Sequence, residues 1–449
     1  QCATSDAARC GRYIRCSWGG WLMPRLSGKT SDIVAVLDIG TAKTVCIAAA
    51  RRAARSGVGA PAPGEAPLRI LGIGHQQSRG VKAGAIIDLA EAESCIRATI
   101  AQAERMAGVT LESVFVSVSC GRLKSHNMTA SADLAGGTVS ARDVARLMSG
   151  ARAYIERDGR RLVHLNRRAV HLDGTLCEGD LTNMAARHMS SAIHAVSADE
   201  APVRNLMAVL ERCHVGVAGC VVAPFASALA VTSEEDRQLG VTVIDIGCGT
   251  TKLATFSAGQ LEFVRSVPLG SGLMTSDIAR ALHTPLIEAE RIKVLYGNLL
   301  SARSDEHEGF SYPQAGMEEG LLQRATKAEL ASVLRSRAAE ILQAVAFQPD
   351  GRRFAGGAGE AILLTGGGSL LTGMAEFASD VLQRPVRRGQ AAEVSGLPPV
   401  ARTLAFSTVT GLLFARDSLT GQPAGNADLG DDHSGGYMHR VGSWLKGGF

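Results

Sequence analysis

Val241-Thr242-Val243-Ile244-Asp245-Ile246-Gly247-Cys248-Gly249-Thr250-Thr251 repeats, position for position, the pattern of Val34-Ala35-Val36-Leu37-Asp38-Ile39-Gly40-Thr41-Ala42-Lys43-Thr44. In each copy an apolar strand ends in aspartate, turns through glycine and small or hydroxyl residues, and resumes as a second strand, which reads as a hairpin. Backbone N–H groups and a threonine hydroxyl around such a turn suit phosphate oxygens. The carboxylate at the strand end suits Mg²⁺, held through water because that ion dehydrates reluctantly. One copy is a weak signal, since an ordinary turn after a buried strand reads the same way. Two copies imply two related α/β halves facing each other across a cleft and gripping phosphates from both sides.

A third element lies further along. The buried-strand run Ala361-Ile362-Leu363-Leu364 leads into Thr365-Gly366-Gly367-Gly368-Ser369, ahead of a helix expected from near Leu371. Glycines there let the backbone approach a ribose and a flat base where a side chain would clash. Between these motifs, apolar spacing predicts helices at Asp88–Met106 with Gly108 as a stop, at Ala141–Arg157 capped by Ser140 and Asp143, at Ala201–Cys213, at Ser276–Asn298 and at Lys327–Phe347. A polar, Gly-containing loop is expected over Ser301–Gly320.

Composition narrows the function classes. The chain is 46% hydrophobic and 20% charged with a net charge of +4, and no Lys/Arg stripe interleaves with aromatics, so nucleic acid is not an expected partner. Ten cysteines without a Cys-x-x-Cys pair predict reduced thiols and neither a disulfide frame nor a zinc site. Apolar runs are broken by Asp or Gly well short of a membrane span. The segment before Met23 lacks the continuous apolar stretch of a secretory signal, and Met23 reads as the natural start. At the other end, Tyr437, Val441, Trp444 or Leu445, and Phe449 share one helical face, with Arg440 and Lys446 placed for lipid headgroups. That is the pattern of a short interfacial helix, although for an isolated tail a frayed terminus is the commoner reading and Gly447 and Gly448 each cost roughly 1 kcal/mol of helix propensity.

The three motifs, in this order, resemble the superfamily of actin, Hsp70 and the sugar kinases, and within it the FtsA family of bacterial cell-division proteins. The resemblance extends to Ser78-Arg79-Gly80-Val81-Lys82-Ala83-Gly84, to the run from Val114 to Ser119 and to Glu234-Asp236-Arg237-Leu239-Gly240 ahead of the second clamp. It implies an α/β, actin-like, RNase H-like duplicated fold with ATP and Mg²⁺ as cofactors. The implied divisions are a leader at 1–31, a first lobe of 32–118 plus 198–239, an SHS2-like insertion at 119–197, a second lobe at 240–416 with a small subdomain near 286–345, a flexible linker at 417–435 and a membrane-targeting helix at 436–449. Nucleotide contacts are implied at Asp38, Gly40, Thr41, Ala42 and Lys43, at Asp245, Gly247, Gly249, Thr250 and Thr251, and at Gly366, Gly367, Gly368 and Ser369, with Asp38 and Asp245 as the metal ligands. Glu290 and Lys293 alone would read as an exposed helical ion pair; the resemblance places them beside base and ribose.

The family's partners are implied in the same way. These are the C-terminal peptide of the division GTPase FtsZ, received near Arg337 and Glu340, other copies of the chain in a polymer, later divisome proteins, and inner-membrane lipid through Tyr437, Val441, Trp444, Leu445, Lys446 and Phe449. Related ATPases carry Gln or Glu to orient the attacking water; Ala223 stands at that position, so slow hydrolysis is expected. Three departures from the family pattern bear on loop geometry and partner contacts: Cys248 where glycine is usual, Leu181-Thr182-Asn183-Met184 in place of a Pro- and Gly-rich turn, and no proline in Arg335-Ser336-Arg337. The rival readings are a PilM-like adaptor of type IV pilus assembly, and a small-molecule kinase or Hsp70-like ATPase, for which neither a sugar-site motif nor a peptide-binding domain is evident.

Overall fold

The computed structural model describes residues 33–51 and 68–420, apart from 135, 157–158, 178, 180, 301, 317–321 and 347–360. The leader and the expected membrane helix at Tyr437–Phe449 lie outside the described residues.

The two aspartate-ended strands seed two sheets of the same topology. In the first, Ile33–Ile39 pairs antiparallel with Lys43–Arg51, which pairs antiparallel with Leu68–Gln77; on its other side Ile33–Ile39 pairs parallel with Ser113–Val118, and that with Gly216–Val222. In the second, Val241–Ile246 pairs antiparallel with Thr251–Ser257 and that with Gln260–Val267, while Ala361–Thr365 and then Val386–Arg388 add in parallel on the other side. Val34 to Leu37 and every residue of Val241–Ile246 are buried, as continuous apolar runs covered on both faces should be. The internal repeat is thus a duplication of a whole five-stranded half, and the actin-like, duplicated architecture expected from the sequence is what the chain adopts.

Two helices join the halves by exchanging partners. Ala223–Leu229 follows the last strand of the first sheet yet packs on three strands of the second, whereas Ser407–Thr420 follows the second sheet and packs on Ile33–Ile39 and Ser113–Val118 of the first. They cross at Gly411, where a Cβ would stand 1.7 Å from the Ala226 carbonyl oxygen. Only glycine permits that approach. Val409, Leu412, Leu413 and Ala415 complete the first core with Val36, Val116 and Phe225.

The expected stop and cap hold: Gly108 ends its helix at φ 69° and Ser140 with Asp143 forms a capping box, while Asp88, expected as the first helical residue, caps that helix by accepting from Ala90 and Glu91 N–H. Four expectations are corrected. The single helix over Ser276–Asn298 is two, Ser271–Ala281 and Leu286–Tyr296, because His283 turns left-handed and Pro285 cannot continue a helix. The polar loop contains the strand Gly309–Pro313, paired with Leu322–Thr326, with Phe310 and Tyr312 buried at alternate positions. The Gly-rich turn becomes a short 3₁₀ segment, Gly367–Leu370, and the following helix begins at Met374. The last helix runs on to Thr420, into the stretch expected as linker.

The insertion has its own core around Met148, Met189 and Ile193. Its strands continue the second sheet beyond Gln260–Val267 in the order Lys124–Asp133, His188–Asp199, Arg160–Leu172, Thr175–Cys177. Lys124 pairs with Arg265, Ser125 Oγ exchanges hydrogen bonds with Val264 N–H at 2.7 Å and its carbonyl at 3.1 Å, and Arg168 meets Glu262 at 3.2 Å. In the Leu181–Met184 turn, Asn183 takes the left-handed conformation at φ 68°, which asparagine tolerates.

Candidate functional site

Each repeat closes in the same way. Gly40 N–H donates to the Lys43 carbonyl at 3.0 Å, and Gly247 N–H donates to the Thr250 carbonyl at 2.9 Å. This four-residue closure fixes the register that follows, Ile39 opposite Thr44 and Ile246 opposite Thr251. The two turns meet at their tips, where a Cβ on Gly249 would lie 2.3 Å from Thr41 Oγ1. Thr41 Oγ1 also accepts from Gly84 N–H at 3.1 Å, and Ser78 Oγ lies 2.8 Å from Thr44 Oγ1, so the Ser78–Gly84 signature buttresses the first clamp. Cys248 occupies the place of Thr41 in the second turn and is not among the residues with positive φ, so the turn does not require glycine there.

The clamps border one cavity of about 670 Å³, within the size range of small-molecule sites. Asp38, Gly40, Thr41, Ala42, Lys43, Asp245, Gly247, Gly249, Thr250, Glu290, Lys293, Gly366, Gly367 and Gly368 all line it, which is fourteen of the sixteen residues that the sequence suggested. The other two stand behind the wall. Thr251 donates to the Leu269 carbonyl at 2.8 Å and Ser369 to the Gly366 carbonyl at 2.7 Å, so both shape the loops from within.

The cleft is also more charged than the motifs foretold. Lys252 is buried with its Nζ 3.0 Å from Asp245 Oδ2, and Thr408 Oγ1 reaches the same oxygen at 3.3 Å. Asp38 accepts from Ser117 Oγ at 2.5 Å. Burial pushes the Asp38 carboxyl above the usual carboxylate range, against the opposing pull of Lys252 and of the Ser117 hydrogen bond. Burial would lower Lys252, but Asp245 and Asp38 outweigh it and hold the ammonium above its ordinary value. Lys43 is lowered by burial despite both aspartates, and its Nζ rests 3.9 Å from the centre of the Phe406 ring. Asp245 and Lys252 are direct cross-strand partners, a consequence of the turn length. Across the cavity, Lys293 Nζ bonds Glu290 at 2.7 Å and Thr275 at 2.8 Å, and Thr275 donates to Glu290 at 2.5 Å. Burial alone would raise Glu290, but these two hydrogen bonds bring it below its ordinary value.

Lys252, Ser117 and Thr408 were missed by sequence reasoning. For Lys252 a signal existed, since a lysine among Thr251, Leu253 and Ala254 in a central strand needs a facing anion. Ser117 and Thr408 come from distant segments, and no local pattern marks them.

Elsewhere, Ala223 is fully buried at the start of its helix and does not line the cavity. Arg337 and Glu340 lie outside the cavity: Arg337 grips Asp277 at 2.6 and 3.1 Å and pairs with Glu340, tying Lys327–Ala346 to Ser271–Ala281. Among the described residues no helix is long and apolar enough to cross a membrane.

Duplicated α/β halves joined by exchanged helices, with paired aspartate turns on a shared cleft, define an actin-fold protein. The chain shares that fold with the PilM-PilN type IV pilus biogenesis complex at a TM-score of 0.55, 15% identity, and coverage of 85% of this chain and 98% of that one. It belongs to the FtsA family. It is 36% identical over 95% of its length to the cell division protein FtsA of Agrobacterium fabrum, covering 98% of that relative, and 29% identical over 92% of its length to that of Escherichia coli K12, covering 97%. The family model "Cell division protein FtsA" matches residues 242–411. The chain is accordingly a cell-division protein.

Proposed function

We propose that this chain binds ATP with Mg²⁺ in the cleft and acts as an actin-like scaffold that polymerises on the cytoplasmic face of the inner membrane, anchors the FtsZ ring there and helps to recruit later divisome proteins. The observation that carries the reading is the meeting of two equivalent turns over one cavity, with Asp38 and Asp245 at the strand ends. The donor set fits a divalent ion: burial disfavours ionised Asp38, so a cation beside it would relieve a cost already present. In this reading Gly40 to Lys43 and Gly247 to Thr250 offer N–H groups to phosphates, Asp38 and Asp245 hold Mg²⁺, Glu290 and Lys293 flank the ribose, and Gly366 to Gly368 let the base approach.

Ala223, where the resemblance would place the water-orienting Gln or Glu of related ATPases, lies outside the cavity, and in this reading ATP acts chiefly as a ligand that favours the closed cleft, with slow hydrolysis. The domain divisions implied by the resemblance belong to the same reading, with the small subdomain around Arg337 and Glu340 receiving the FtsZ C-terminal peptide and Tyr437 to Phe449 lying in the membrane surface. Single tails bind weakly, and a polymer adds avidity. The deciding experiment is binding of the full chain to that peptide, with liposome co-sedimentation in parallel. Saturable peptide binding and vesicle attachment that disappears on deleting residues 437–449 are expected. No binding to the peptide, or attachment unaffected by the deletion, refutes the tether.

A further inference from the structure

We propose that Lys252 is a resident counter-ion that keeps the aspartate pair from holding a divalent cation on its own, so that the cation enters the cleft only together with nucleotide phosphates. The inference rests on the nucleotide reading above. The charged side chains that line the cavity are Asp38, Asp245 and Glu290 against Lys43, Lys252 and Lys293, so the lining as a whole is neutral. Glu290 and Lys293 pair with each other at 2.7 Å. Of the four that remain, Lys43 rests 3.9 Å from the centre of the Phe406 ring, while Lys252 hydrogen-bonds an aspartate directly.

The backbone fixes Lys252 in that place. The Gly247–Thr250 closure makes it the cross-strand partner of Asp245, within a run, Thr251 to Phe256, that is buried throughout. Its ammonium stands 3.0 Å from Asp245 Oδ2, and Thr408 Oγ1 donates to the same oxygen at 3.3 Å. On the facing clamp, Ser117 Oγ donates to Asp38 Oδ1 at 2.5 Å. These bonds leave Asp245 Oδ1 and Asp38 Oδ2 to a cation. Mg²⁺ demands an octahedron of oxygens, and proteins supply it through one or two carboxylates plus substrate phosphates. Two oxygens beside a fixed ammonium make a poor site for the bare ion. A unit charge about 6 Å from a divalent ion opposes it by about tenfold in affinity even at the dielectric of water, and by more where water is excluded. A triphosphate brings both further oxygens and the negative charge that offsets Lys252.

The test uses Mn²⁺, which shares the preference for octahedral oxygen and can be counted by electron paramagnetic resonance, equilibrated with the full chain by dialysis. At one free Mn²⁺ concentration, wild type should retain an ion per chain with ATP and less than about a tenth of that without it. Lys252→Met should retain the ion without nucleotide, at least about tenfold more tightly than wild type, and adding Asp245→Asn should abolish the gain. A lysine that merely held the strands in place would weaken cation binding when replaced, not create it. A wild-type chain that keeps its ion without nucleotide and loses it with Asp245→Asn overturns the inference, whether or not Lys252→Met folds, and leaves the nucleotide reading intact. So does a folded Lys252→Met chain that gains no site. A wild-type chain that retains no Mn²⁺ even with ATP overturns both.

Discussion

Lys252→Met removes one charge from the centre of the cleft while keeping an unbranched apolar stem of similar length. In the native protein the ammonium stands 3.0 Å from Asp245 Oδ2, with the two side chains only 10% and 4% exposed. At that separation an effective dielectric near 20 gives an attraction of about 5 kcal/mol. Deleting one partner of such a buried pair costs about 3–5 kcal/mol, because the other charge is left uncompensated. Here two carboxylates lose their cation, since Asp38 also draws on Lys252. Lys252 titrates above its unfolded value of 10.5, so its contribution is fully present below that pH and is lost only as pH rises through the folded pKa. Urea unfolding of the nucleotide-free chain at pH 7.5 therefore reads the whole effect. Lys252→Met should be destabilised by about 3–5 kcal/mol, and adding Asp245→Asn should recover part of that loss. A single variant within about 1 kcal/mol of wild type would refute the idea that Lys252 neutralises the empty cleft.

Other perturbations test the remaining parts. Asp38 titrates above its unfolded value of 3.8, so the stability linked to it is present below that pH and is lost as pH rises through the folded pKa; Asp38→Asn should stabilise the empty protein near neutral pH while weakening Mg²⁺-dependent ATP binding, measured by thermal shift and calorimetry. Gly411→Val should drive the crossing helices apart at the Ala226 carbonyl and cost about 3 kcal/mol or more by urea unfolding, with Gly411→Ala also destabilising. Arg337→Ala should cost about 1–3 kcal/mol by removing the two-point partner of Asp277, which keeps only Arg280 at 3.3 Å, and should reduce binding of the FtsZ peptide, and Arg337→Lys should not restore it because one ammonium cannot reproduce the two-point grip. Burial pushes His164 down to about 4 and His194 down to about 3, so the stability of their packing should fall as pH drops below about 6.5, and His164→Phe should flatten that acid limb in a pH series of melting curves.

The sequence was most legible where geometry is local. A four-residue turn between apolar runs sets its own hydrogen bond and register, and so the paired clamps, the Ser140 cap and the Gly108 stop all stood where the residues indicated. Legibility failed where tertiary packing decides. Pro285 splits a run whose apolar spacing alone suggests one helix, and the strand Gly309–Pro313 is too short for its alternation to stand out from a polar stretch. Lys252 could have been deduced by counting outward from the Gly247–Thr250 closure, which puts it opposite Asp245. Its depth could not, because burial comes from chain remote in sequence, including the helix that begins at Ser407. Phe406 under Lys43 belongs to the same class, contributed by a segment that no motif marks.

The seam between Lys124 and Arg265 has a mechanical consequence. The inserted subdomain is leashed by covalent chain to one half, and Gly121 accepts from Asp199 N–H at 2.6 Å where its two leashes converge. Its strands are laced to the edge of the other half through Val264 and Glu262. A two-lobed clamp with only the helix crossing at Gly411 between its halves would open like scissors on a single pin. This one carries a stay as well, and for the jaws to part widely the lacing at Ser125 and Val264 must slip.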